Sequence, residues 1–183
     1  MSRKPNTMKR IFGIAILATL MACGQADKKS SEVQDSTVKD STESKTSATL
    51  KDEKINVIFS KYEILKDALV KSDSLHAKKA AGDLQTNLAT YKGCELTAEV
   101  ANKIATTTNL AAQRKEFTVL SSDLIALLKT ADVAAGTIYV QHCPMANKGD
   151  GGDWLSSAKE IRNPYYGDEM LECGRVAEEI KPK

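Results

Sequence analysis

The sequence predicts a mainly α fold: a helical bundle of about four helices, closed by an irregular C-terminal cap with a short extended segment. Three observations carry that reading. Apolar side chains recur at three-and-four spacing from residue 53 to about residue 131. After Gly136 that period gives way to β-branched and aromatic residues. Beyond Cys143 the chain is punctuated by Gly, Asn and Pro, which mark turns rather than long elements.

Each element follows from its own spacing. Ile55, Ile58, Tyr62, Leu65 and Leu69 predict a first helix over about 53–72. Asp73 or Ser74 can cap a second, whose stripe is Ala77, Ala81, Leu84, Leu88 and Tyr91, and Lys92-Gly93 ends it. A shorter piece at about 97–105 turns Val100 and Ile104 inward, and the Thr106–Asn109 run of poor helix formers stops it. Gln113, Phe117, Leu120, Leu124, Leu127 and Leu128 form the longest stripe, at about 110–131. Thr137 to His142 reads as a short strand, and Asn147 to Asp153 as a loop. Ser156 to Ile161 is expected to make a helical turn, and Asn163 to Gly167 a second turn. Asp168 to Leu171 and Arg175 to Ile180 are expected to be short closing helices.

The start of the chain has a different character. Arg3, Lys4, Lys9 and Arg10 precede an apolar run from Ile11 to Met21, too short to span a bilayer. That pairing reads as a secretory leader over residues 1–22. Its end, Leu20-Met21-Ala22-Cys23-Gly24, resembles a bacterial lipoprotein signal, so Cys23 is the expected lipidation site and membrane anchor. Residues 23–52 are rich in Ser, Thr, Asp and Lys and read as a disordered tether. The single folded domain is then 53–183. The expected location is the cell envelope, lipid-anchored and periplasm-facing, with the outer membrane preferred.

Removing the leader's four basic groups leaves 22 basic against 24 acidic residues, so the net charge moves from +2 to −2. A near-neutral chain gives no warrant for nucleic-acid binding. No GxSxG elbow, phosphate loop or EF-hand order is present, and Asp168 and Glu169, being adjacent, cannot work as a facing pair. The protein is expected not to be an enzyme.

Chemistry concentrates in the cap. Tyr139 to Gly174 holds the single Trp, three of the five Tyr and two of the four Cys. Cys143 and Cys173, thirty positions apart, admit two readings. In an oxidising compartment they are a disulfide stapling the cap. Alternatively they are a thiolate pair which, with Met145, Met170 and His142, holds a soft ion, because polarisable donors match copper(I) or silver. No CxxC or CxxCH is present, which disfavours zinc-ribbon, thioredoxin and c-type haem readings. Cys94 has no evident partner and reads as a small core residue, while His76 reads as solvated.

The run YVQHCPMANKGDGGDWLSSAKEIRNPYYGDEMLECG, with YEILKDALVKSD and RKEFTVLSSDLIALL before it, resembles an uncharacterised bacterial domain family (domain of unknown function three-three-four-seven). Such domains occur as small envelope lipoproteins and as C-terminal extensions of periplasmic adaptor subunits of copper/silver efflux systems. The resemblance implies an association with metal export and efflux adaptors as partners, with no established activity to carry over. The matching segments are Cys143 to Met145, Trp154 to Ser156, Ile161 to Tyr165, and Met170 to Gly174. The expectation is therefore a membrane-tethered envelope protein that binds copper(I) or a similar ion through Cys143, Cys173, Met145 and Met170, with His142 auxiliary. Trp154, Tyr165 and Tyr166 would shield that site, while Arg162, Asn163 and Pro164 shape the cap. The alternative is a metal-free interaction module of an envelope complex with a structural Cys143–Cys173 disulfide.

Overall fold

The computed structural model describes residues 48–183. The expected leader, the lipidation site at Cys23 and the tether as far as residue 47 lie outside the described residues. Four helices follow one another: α1 (Glu53–Val70), α2 (Ser74–Leu88), α3 (Glu95–Ala105) and α4 (Leu110–Thr130). Each agrees with its predicted span to within three residues at either end. Among the described residues no helix is long and apolar enough to cross a membrane.

Local chemistry sets the helix starts. Asp52 accepts hydrogen bonds from the Lys54 and Ile55 amides, Asp73 from that of His76, and Asn109 from that of Ala112. Each satisfies amides that have no partner within the first turn. Only α3 starts without a side-chain cap, at Cys94. The apolar stripes then pack into one core, with Leu65, Leu69, Leu84, Leu88, Ile104, Leu120 and Leu128 fully buried. Burial of each such side chain stabilises the fold by roughly 1.5–3 kcal/mol. Ala77, Ala80 and Ala81 keep α2 slim enough for close approach to its neighbours.

The fold begins earlier than the tether reading allowed. β1 (Thr49–Leu50) pairs antiparallel with β2 (Val133–Ala135), and Ala48 and Leu50 are buried. Leu50 supplies the apolar contact, and its amide donates to Asn56 Oδ1 on α1. Residues 48–52, assigned to the tether by composition, are thus part of the described fold.

The cap is built on a three-stranded antiparallel sheet in the order β4-β3-β5, where β3 is Ile138–Cys143, β4 Gly152–Ser156 and β5 Arg175–Ile180. Two helix expectations fail here. Arg175–Ile180 is an edge strand, and Ser156 ends β4 before a series of bends. The Asp168–Leu171 helix is reduced to a 3-10 turn at Gly167–Glu169. In β5 backbone pairing with β3 decides the conformation, because most of its side chains remain in solvent.

Aromatic and polar contacts join cap and bundle. Tyr62 of α1 stacks on Phe117 of α4 at 5.3 Å between ring centres. Phe117 meets Tyr165 edge-on at 5.8 Å, and Tyr165 meets Trp154 at 6.1 Å. Such pairs add about 0.5–1.5 kcal/mol each beyond the area they bury. Tyr62 also accepts from the Leu155 amide and shares a hydrogen bond with Ser121. Glu63 receives both the amide and the hydroxyl of Ser157. Arg114 donates to the carbonyls of Pro164 and Leu69 and to Ser72 Oγ.

Candidate functional site: a thiol pair in the cap

Strand register brings the two cap cysteines together. His142 lies opposite Arg175 in the antiparallel β3–β5 pair, so the chain just before β5 runs beside the end of β3. Cys143 closes β3 and Cys173 precedes β5 by two residues. Their sulfurs are 3.1 Å apart, and both are free thiols. Cys143 is fully buried and Cys173 partly exposed.

The surroundings enforce this approach. Gly174 adopts φ +149°, and a Cβ there would stand 2.9 Å from the His142 carbonyl oxygen and 3.0 Å from the Trp154 ring. Gly152, opposite Cys143, admits the Tyr165 ring where a Cβ would lie 2.7 Å from it. Asn163 is fully buried and fixes the Cys173 segment: its side-chain amide donates to the Cys173 carbonyl, and its backbone amide to that of Leu171. Asn163 Oδ1 accepts from the Tyr165 amide, and its carbonyl from the Gly167 amide. A buried amide with this set of partners is costly to replace.

The hydrogen bond from Cys143 pushes the Cys173 thiol above its ordinary range, and desolvation adds to it, while the Met145 backbone amide acts the other way. Two neighbouring thiols resist losing both protons, because the second ionisation would set two negative sulfurs side by side. A cation or a covalent bond between the sulfurs removes that repulsion.

The other predicted residues take separate places. His142 precedes Cys143 in a strand, so its ring projects from the opposite face; Nδ1 lies 2.7 Å from Asp153 Oδ1. Its expected part as auxiliary donor is therefore corrected: the structure does not bring it to the thiols. Among the described residues no group of three or more His, Cys, Asp or Glu side chains could hold a metal ion. Met145 and Met170 are both exposed. The Tyr166 hydroxyl donates to the Met145 carbonyl at 2.5 Å, which ties down the turn after Cys143. Trp154 is fully buried, and the Tyr165 hydroxyl donates to the Asp153 carbonyl. Pro164 offers its carbonyl to Arg114. Arg162 meets Glu160 at 2.8 Å at the surface, where an ion pair contributes little. The arginine that ties the cap to the bundle is Arg114, which sequence reasoning missed because nothing in its local pattern marks it. Cys94 is buried and His76 exposed, each as its segment predicts.

The arrangement is a small helical domain carrying a soft dithiol at the edge of its cap. A family described as "Protein of unknown function (DUF3347)" matches residues 58–136 of the chain. The matched segment spans the four helices from Ile58 on and reaches β2, whereas the thiol pair lies beyond it. No curated protein and no solved structure matches the chain.

Proposed function

We propose that this is a membrane-tethered envelope protein whose cap binds a soft monovalent cation, copper(I) or silver, through Cys143 and Cys173, and that it serves metal efflux or homeostasis. The observation that carries the reading is the 3.1 Å separation of two sulfurs supplied by remote pieces of chain. The donor set fits such an ion: two thiols converge, and polarisable sulfur donors match a polarisable cation. Met145 and Met170 place exposed thioethers two and three positions from the thiols, where they serve as further donors. Trp154 and Tyr165 exclude water from the inner side. The basic and apolar leader ending at Cys23 supports the envelope address and the lipid tether. The cation is cargo in this reading, with efflux adaptors as its recipients.

Coordination requires thiolates, so binding releases protons. Because the Cys173 thiol is raised, apparent affinity should climb as pH rises through and above neutrality. The test is competition for copper(I) against a chromophoric chelator under reducing conditions, for wild type and Cys143→Ser. Wild type should win copper with an affinity at least about tenfold above that of the variant. Equal competition by the two proteins would end the proposal.

A further inference from the structure

We propose that Cys143 and Cys173 are also a thiol–disulfide exchange pair, in which Cys173 is the solvent-side thiol that reacts first and Cys143 the buried thiol that resolves the intermediate. The inference uses the sulfurs of the proposed cation site but requires no ion. Its basis is an asymmetry of access and support. Cys143 is fully buried at the end of a central strand, hydrogen-bonded to β4 on one side and followed by the turn that Tyr166 holds. Cys173 is partly exposed, on the short segment between the 3-10 turn and β5. An external disulfide can therefore meet only the second sulfur. The first then stands 3.1 Å behind it.

The exchange balances as follows. The Cys173 thiolate attacks one sulfur of an external disulfide, either a small-molecule disulfide or that of an oxidoreductase. The external bond breaks, its departing thiolate takes up a proton, and a mixed disulfide forms at Cys173. Cys143 then loses its proton and attacks the Cys173 sulfur, displacing the second external thiol. The two protein thiols are oxidised by two electrons, and one external disulfide is reduced to two thiols. Closure consumes both thiolates, so an oxidised cap cannot hold a cation between these sulfurs. Asn163 acts as a positioning residue, since it holds the carbonyl of Cys173.

The test exposes the reduced, metal-free full chain to glutathione disulfide with a copper chelator present. Intact mass follows the reaction, and peptide mapping locates each adduct and separates Cys23 and Cys94 from the pair. Wild type should finish with an internal Cys143–Cys173 bond. Cys143→Ser should stop at a glutathione adduct on Cys173, formed at least about tenfold faster than any adduct on Cys143 of Cys173→Ser. Equal or reversed rates, or a wild type that halts at the mixed disulfide, would overturn the assignment. Trp154 emission checks that each variant is folded, and the alanine variants replace any serine variant that is not. Copper competition is measured separately: exchange failing while copper binds sinks this inference alone, and the converse sinks the cation reading alone.

Discussion

Tyr62 joins three elements through one phenol. Its ring stacks on Phe117 of α4, and its oxygen accepts from the Leu155 amide of β4 while sharing a hydrogen bond with Ser121. Tyr62→Phe keeps the ring but leaves a strand amide without its partner, which should cost about 1–3 kcal/mol in a urea melt. Burial raises the Tyr62 and Tyr165 phenols well above the ordinary tyrosine range. A raised folded-state pKa means that the neutral form is the one the fold favours. Its contribution is complete below the unfolded value, about pH 10, and is lost as pH climbs past it. Stability should therefore fall from about pH 10 upward, and the fall should be shallower in Tyr62→Phe, as denaturant melts over that range will read. An equally steep fall in both proteins would place the alkaline transition elsewhere.

At the scale of elements, the four helices were legible because each buries an apolar stripe, and α1, α2 and α4 also start at side-chain caps, Asp52, Asp73 and Asn109. The strands of the cap were less so. Val176 and Ile180 stand four apart and imitate a helical stripe, yet β5 takes its conformation from pairing with β3. In β4, Trp154, Leu155 and Ser156 are all buried, so the alternation that announces a half-buried strand is missing. The thiol pair was legible as two cysteines with alternative fates, but its geometry needed the register of β5 on β3. The same pleat explains why His142, adjacent to Cys143 in sequence, faces Asp153 instead. Arg114 and Glu63 carried no local signal, because what they tie down lies far along the chain. Gly174 is the element-scale test. Gly174→Ala must change a left-handed backbone and displace the His142 carbonyl or the Trp154 ring. The substitution should destabilise the cap by about 1–3 kcal/mol and shift Trp154 emission, while helical circular dichroism at low denaturant stays near that of wild type. Unaltered emission and stability would show that the close approach is not needed.

Across the described part of the molecule, bundle and cap share one core. The line of rings from Tyr62 through Phe117 and Tyr165 to Trp154 passes from α1 into β4, and Glu63 and Arg114 bind the cap's loops from the helical side. The helices thus provide a rigid base, while the cap holds one sulfur deep and one near solvent. The claim about purpose is that this pair presents a soft donor set to a soft ion. Copper-edge X-ray absorption on the reduced, copper(I)-loaded full chain tests it most directly. The account predicts a first shell of sulfur alone, which loses sulfur in both Cys143→Ser and Cys173→Ser. A shell of nitrogen or oxygen, or one unchanged by either substitution, would contradict it.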